Sequence, residues 1–328
     1  MRPRCVVIAH NAVGQDDDPS TRDVLAQAAL VRAALDDLGI GHRTVAVGER
    51  GVDPATVAGA AAVFNLVESP PGCPSFQVEA AAAFESLGMP VTGSPASVIA
   101  VTTDKAATRA RLQAAGVAVA AGGVLDPERP ELLDRVPPPW ILKPALEDAS
   151  LGLDDNAVTS EPSAALARAR ALARRFPGQP LLLEHLLPGR EFNIALLAGP
   201  DGPEVLPPAE MTFVDFPADR PRILGWEAKW DEGSFAYQHT VRRFLDPREE
   251  PLAEQLAAVA VAAWSASGLA GYARVDARAD EDGRPCVLEV NANPCISPDA
   301  GFIAAAAAAD LSPREVVSRI LDATGWQA

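Results

Sequence analysis

Aromatic side chains are scarce: 10 Phe, 5 Trp and 2 Tyr among 328 residues, 5 % of the chain. With 48 % hydrophobic residues in all, a globular core has to be built from Ala, Leu and Val instead. Cysteine and histidine are sparse as well. The four cysteines, Cys5, Cys73, Cys286 and Cys295, form no C-x-x-C pair, and the four histidines show no metal-ligand spacing. This argues against structural zinc and reads as reduced thiols in a cytosolic protein. No apolar run reaches the ~18 residues of a spanning helix. The opening Met1-Arg-Pro-Arg-Cys-Val-Val-Ile-Ala-His10 has too short an apolar run for a signal peptide and reads as a first strand. A soluble, cytoplasmic protein is expected. Positive charge is short too: 28 Lys and Arg stand against 44 Asp and Glu, for a net charge of −16. Bulk charge therefore argues against a nucleic acid or an anionic membrane as partner, whereas a nucleotide needs only a local basic pocket.

The length allows two or three core-bearing units. Residues 4–9 read as a strand and 21–38 as a helix stopped at Gly39. His42–Val47 and Ala61–Val67 read as strands, 76–87 as a helix ending at Gly88, and a short strand is expected near Val91. This alternation predicts a Rossmann-like open parallel sheet over 1–94. A ligand would sit at the C-terminal strand ends, beside the Asp16–Asp18 run and the Ser69–Ser75 loop. A second unit is expected over 95–187: a helix with Lys105 in its first part, strands near 117–125, 140–143 and 181–185, a loop at 145–152 and a helix over 161–175. A third, 188–328, carries strands near 191–198 and 204–211, and an irregular lid-like segment at 213–242. A helix over 251–267, two acidic strands and two C-terminal helices complete it.

The acidic strands are Tyr272-Ala-Arg274-Val-Asp276 and Val287-Leu-Glu289-Val-Asn291-Ala-Asn293-Pro294, with a polar turn at 282–285. Alternate residues of a strand share a face, so Glu289 and Asn291 point the same way and Asp276 on the adjacent strand meets them. Three hard oxygen ligands suit Mg²⁺ that keeps phosphate oxygens and waters as its other ligands. Arg274 adds a cation beside them. The plain alternative is a hairpin with solvated acids. Trp140-Ile-Leu-Lys143-Pro-Ala is a buried-looking strand ending in a lysine, whose charge a phosphate would satisfy. Glu147-Asp-Ala-Ser150-Leu-Gly152 is a small loop able to fold its N–H groups over phosphates, or a plain turn. Along Leu181-Leu-Leu-Glu184-His185-Leu-Leu187 a purine could hydrogen-bond the backbone, with Glu191 reaching ribose hydroxyls. A strand–turn–strand with surface acids is the alternative.

Together these segments resemble the ATP-grasp superfamily, in its D-alanine–D-alanine ligase-like branch. The resemblance runs from about Val63 to Leu321. It rests on Val91-Thr-Gly-Ser-Pro with Thr103-Asp-Lys105, Lys143-Pro with Ser150-x-Gly152, Glu184 through Glu191, Glu227-Ala-Lys229, and Arg274-x-Asp276 through Asn291-x-Asn-Pro. It implies an α/β ATP-grasp fold with a βαβ N-terminal domain, a central subdomain and a C-terminal catalytic domain. It also implies roles. Lys105 and Lys143 hold the α- and β-phosphates of ATP, and Glu184, His185 and Leu187 line the adenine site. Glu191 binds ribose, and Lys229 reaches the γ-phosphate from the lid. Asp276, Glu289 and Asn291 hold two Mg²⁺, for which Mn²⁺ can substitute. Arg274 stabilises the tetrahedral intermediate, with the Cys295 N–H as a further donor, and Ser150 joins the catalytic candidates. The implied reaction activates a carboxylate as an acyl phosphate and passes it to an amine, releasing ADP and phosphate. The implied assembly is a homodimer.

Four positions depart from the branch. After the first strand, Ala9 to Asp18 lacks the Gly-rich, Ser/Glu-containing loop. Glu68-Ser69 stands where those ligases have His-Gly. Trp230 replaces the lid Tyr, and Ala300, in Ser297-Pro-Asp-Ala-Gly301, replaces a Ser that receives the second D-alanine. These departures imply small-molecule carboxylate and amine substrates, of amino-acid type but other than two D-alanines, with Glu68, Asp17, Trp230, Ser297 and Ala300 as pocket candidates. Anionic Glu68 suits an amino group or a basic side chain. Two further readings stand beside this one: true D-alanine–D-alanine ligation, and a nucleotide-binding protein without ligase activity.

Overall fold

The computed structural model describes residues 5–326. Its first sheet is built on β1 (Cys5–Asn11), flanked by β2 (Gly41–Val47) and β3 (Ala62–Leu66) in the order β2-β1-β3, all parallel. β1 is central, so Val6 to Ala9 are fully buried on both faces, which is what a continuous apolar run demands in a parallel sheet. Around it lie α1 (Pro19–Arg22), α2 (Val24–Asp37), α3 (Pro54–Val57) and α4 (Phe76–Ser86). The single helix expected over 21–38 is two. Asp18 caps α1 by accepting from the backbone N–H of Ser20 and Thr21, and α2 starts afresh after Asp23. The strand expected near Val91 is only an isolated bridge to Val63.

Next come α5 (Ala96–Thr103) and α6 (Lys105–Ala114), where one helix was expected. Asp104 separates them: its backbone is extended and its side chain accepts from Ala106 N and Ala107 N, placing Lys105 in the first helical position. Ile99, Leu112 and Val117 pack with Val275, Val287 and Trp264 of the C-terminal part. The packing therefore divides differently from the expected 95–187 unit, since these helices cover the C-terminal sheet. The central sheet itself comprises β4 (Gly122–Val124), β5 (Trp140–Pro144), β6 (Val158–Thr159) and β7 (Leu181–His185), antiparallel in the order β4-β7-β5-β6. Helix α7 (Pro162–Arg175) buries Ala165, Ala169 and Leu172 against Trp140, Leu142 and Leu183.

The C-terminal sheet holds β8 (Glu191–Gly199), β9 (Gly202–Val205), β10 (Ala209–Phe213), β11 (Thr240–Phe244), β12 (Tyr272–Ala279) and β13 (Pro285–Asn291). Its order is β11-β10-β8-β12-β13, with β9 also on β8, and every pairing is antiparallel. The strand expected at 204–211 is split because Pro207 and Pro208 have no N–H to give a ladder. The segment expected to be irregular at 213–242 contains α8 (Trp226–Trp230), α9 (Phe235–His239) and the start of β11. Five-residue helices are too short to show a helical period in sequence. Helix α10 (Glu250–Ser267) covers one face of the sheet. On the other lie α11 (Gly301–Ala308) and α12 (Pro313–Asp322), and the buried Val316, Val317, Ile320 and Leu321 join Val24, Val31 and Leu35 of α2 in one core.

Candidate active site

The register of β12 on β13 sets Asp276 directly opposite Glu289 and Arg274 opposite Asn291. On the other side of β12, Asn193 of β8 faces Asp276. The Asp276 carboxylate is buried and fully engaged. Oδ1 accepts from Asn193 Nδ2 at 2.8 Å and from Arg274 Nε at 2.7 Å. Oδ2 accepts from an Arg274 terminal nitrogen at 2.9 Å and from Asn291 Nδ2 at 3.4 Å. Two carboxylates and one amide thus converge, and among the described residues no group of three or more His, Cys, Asp or Glu is placed to hold a metal. That donor set does not make an all-protein cage. It fits a hard cation that brings phosphate and water oxygens with it, which is the habit of Mg²⁺.

Three lysines approach the same place. Lys105 Nζ lies 3.5 Å from Glu289 and 3.5 Å from Asp148, and donates to the Glu147 carbonyl at 2.6 Å. Burial alone would lower its pKa, but the Glu289 and Asp148 carboxylates outweigh this and raise it. Burial would likewise raise Glu289, yet Lys105, Lys229, Lys143 and Arg274 hold it down at about 2. Lys143, at the end of β5, pairs with Glu184 at 2.9 Å. Lys229, on α8, has its pKa lowered by burial and by Arg274, against the pull of Glu289, Asp276 and Glu191.

The 145–152 loop is tightly coiled: Ala149, Ser150 and Gly152 have φ of 55°, 60° and 78°. It is clasped from above by the α8 segment. Ser150 Oγ donates to the Leu224 carbonyl at 2.8 Å, Trp230 Nε1 to the Ala149 carbonyl at 3.2 Å, and Trp226 N to the Leu153 carbonyl at 3.1 Å.

Beneath the clasp runs a cleft of ≈ 580 Å³. Of the expected residues, Lys105, Lys143, Lys229, Arg274, Glu289 and Asn291 line it, as do Ser150, Trp230, Glu68, Ser297 and Ala300. Others lie off its wall. Asp276 sits behind Arg274, and Glu184 is held by Lys143. His185 Nδ1 donates to the Pro137 carbonyl at 2.9 Å. Leu187 packs with Ala120, Cys286 and Leu288, a small apolar patch contributed by the segment before β4, the end of β7 and β13. Glu191 pairs with Arg278 at 3.1 Å, and its pKa is raised by burial, against Arg278. Asp17 is a correction: it is exposed and accepts from Gly14 N at 2.8 Å, so the acidic run serves local turns and the α1 cap.

The acidic wall of the cleft is instead made by Glu68 with Asp23, which the sequence reading passed over. The Gln27 amide donates to Glu68 at 2.7 Å and to Asp23 at 3.3 Å. Burial raises the Glu68 pKa to about 7, opposed by the Gln27 hydrogen bond and reinforced by Asp23 and Asp148. The Cys295 thiol donates to Asp23 at 2.8 Å, and burial with Asp23 pushes its pKa well up, which holds it as a thiol. Asp23 and Gln27 are four apart on one helix face, a spacing visible in sequence. Asn193 shares a strand face with Glu191 in the same way.

A cleft between two antiparallel sheets, floored by an acidic hairpin and ringed by lysines, is that of an ATP-grasp enzyme, a ligase that joins carbon to nitrogen. Residues 128–322 match the family described as D-ala D-ala ligase C-terminus, and the chain belongs to the D-alanine–D-alanine ligase family. It is 34 % identical over 217 residues to the D-alanine–D-alanine ligase of Gluconobacter oxydans, covering 65 % of each chain. To that of Alkalilimnicola ehrlichii it is 32 % identical over 242 residues, 73 % of this chain and 71 % of the relative. An uncharacterized Sinorhizobium fredii protein, y4sG, is 32 % identical over 260 residues, 79 % and 73 % of the two chains. Among solved structures, the D-alanine–D-alanine ligase of Bacillus anthracis complexed with ATP superposes with a TM-score of 0.77 over 99 % of this chain and 97 % of that one. The sequence identity there is 18 %, so this likeness speaks for the fold.

Proposed function

We propose that the protein activates a small carboxylic acid as an acyl phosphate at the expense of ATP and transfers the acyl group to an amine, forming a dipeptide or amide with release of ADP and phosphate. The observation that carries this reading is the meeting of Arg274, Lys105, Lys143, Lys229, Glu289 and Asn291 at one cleft, with Asp276 directly behind Arg274 and opposite Glu289. Lys105 and Lys143 bind the nucleotide's inner phosphates. Lys229, brought by α8, reaches the terminal one. Asp276, Glu289 and Asn291 hold Mg²⁺, which supplies charge neutralisation to the transferring phosphoryl group when bound. Arg274, oriented by its two hydrogen bonds to Asp276, donates to the oxyanion formed when the amine attacks. The α8 clasp over the 145–152 loop excludes water from the reactive acyl phosphate. The Leu187 patch and the neighbouring backbone receive the purine, and Glu191 the ribose.

The substrates are amino acids or molecules built like them. The Glu68–Asp23 wall is acidic, and an amino group or basic side chain set against it would relieve the burial and repulsion that resist the Glu68 charge; Ala300 offers no hydroxyl. D-alanine–D-alanine ligation is the second reading, favoured by the named relatives. Both are tested by measuring Mg²⁺-dependent ADP and phosphate release with D- and L-amino acids, singly and paired, with mass detection of products. A product of two substrates minus water supports the ligase reading and names the partners, and D-alanine alone giving it selects the second reading. AMP and pyrophosphate, or no release with any pair, would remove it. With the productive pair, Arg274→Met is expected to lower kcat by about 10²–10³, the loss typical for one oxyanion donor.

A further inference from the structure

Strand β11 carries two successive arginines that go opposite ways. Arg243 turns to the outer face and pairs with Glu210 and Glu249. Arg242 lines the cleft, as strand alternation requires. Among the described residues no carboxylate lies within ion-pair distance of it. Its two terminal nitrogens donate only to the Asp299 carbonyl, each at 3.3 Å, and its Nε is buried with no partner. Burial, and Arg274 as a like charge, lower its pKa against the more distant Asp299 carboxylate. Arg274 itself is committed to Asp276 through two hydrogen bonds. Arg242 is thus a half-buried cation of this part of the cleft whose one acidic neighbour, Asp299, stays outside ion-pair distance, and whose buried Nε lacks a partner.

Its surroundings suit an anion. A Cβ on Gly301 would lie 3.8 Å from Arg242 Nε. Gly301 opens α11, whose N-cap, Ala300, makes no side-chain cap hydrogen bond. The helix start therefore adds unfilled N–H groups and partial positive charge at the spot where the guanidinium fork lies. A planar fork beside backbone donors matches a carboxylate.

We propose that Arg242 receives the carboxylate of the amine-bearing substrate and so makes the enzyme select amino acids over amines that lack one. This rests on the ligase reading above, and names its acceptor class and a residue that sets it. Arg242 orients the acceptor from β11, while Arg274 acts at the reacting carbon.

The test compares wild type, Arg242→Met and Arg242→Lys. With the productive pair, Arg242→Met is expected to raise the acceptor KM at least about ten-fold, the loss of one charge-assisted contact. KM for ATP and for the activated acid should hold, and Arg242→Lys should recover part of the loss. Calorimetry with glycine and glycinamide as probes needs no turnover. Wild type should bind glycine more tightly than the amide, and Arg242→Met should bind both alike. Equal binding of the two probes by wild type, no glycine binding, or an acceptor KM untouched by Arg242→Met would overturn the assignment. Discrimination between probes without ADP release from any pair would instead leave Arg242 as a carboxylate site and remove the ligase reading.

Discussion

Glu68 is a carboxylate whose charge its surroundings resist. Burial is the main cause, opposed by the Gln27 amide hydrogen bond and reinforced by repulsion from Asp23 and Asp148, so its pKa rises from 4.5 to about 7. A folded-state pKa above the unfolded one means that the native state binds the proton more tightly. Between pH 4.5 and about 7 this group's contribution to stability is therefore lost as pH rises. Glu68→Gln removes that dependence. Its melting temperature relative to wild type should climb between pH 5 and pH 8, and a constant difference across that range would show that Glu68 is not the titrating group. Glu289 has the opposite sign. Held at about 2 by the lysines and Arg274, it contributes stability above its ordinary value that is lost as pH falls toward 2. The places of Lys143 and Glu289 on the cleft were readable from residue type and strand position. Those of Asp23 and Arg242 were not, because neither stands in a recognisable motif.

At the scale of elements, the clasp between α8 and the 145–152 loop lies over the cleft. Three hydrogen bonds hold it, from Ser150, Trp226 and Trp230. Trp230→Phe keeps an aromatic ring and removes only the Nε1 donor. A lost hydrogen bond of about 1 kcal/mol should loosen the closed state about five-fold. Limited proteolysis within 213–239 is expected to quicken by about that factor, with a parallel rise in KM for ATP. Unchanged cleavage would mean that the segment is held by the Phe213–Phe216–Phe235 cluster instead. Long elements such as α7 and α10 follow their sequence periods closely. Two of the departures fall at breaks made by one or two residues, Asp104 between α5 and α6 and Pro207-Pro208 between β9 and β10, where a local cap or a missing N–H overrides a continuing apolar pattern.

For the whole molecule, the two ends of the described chain share one core. α12 buries Val316, Val317, Ile320 and Leu321 against α2 and the face of the C-terminal sheet. Ile320→Ala should cost about 2–5 kcal/mol, as buried Ile truncations do. Because its neighbours belong to both ends, the N-terminal sheet and the catalytic sheet should lose stability together in denaturant, seen as one shifted transition. An N-terminal transition left in place would show that the two ends unfold independently.

The sequence by itself determined the acidic hairpin. A short turn pairs the two strands locally, and the same locality made β7, α7 and the ligase resemblance legible; the exact pairing of Asp276 with Glu289 also needs a register shift between Asp276 and Ala277, which skips Leu288. Only the tertiary structure decided what surrounds that hairpin. Glu68 meets Gln27 across 41 positions and Cys295 meets Asp23 across 272. Arg242 reaches the start of α11 because β11 sits at the far edge of a sheet ordered β11-β10-β8-β12-β13. Such meetings follow from sheet order and helix packing, which many distant side chains set together, so no local spacing announces them.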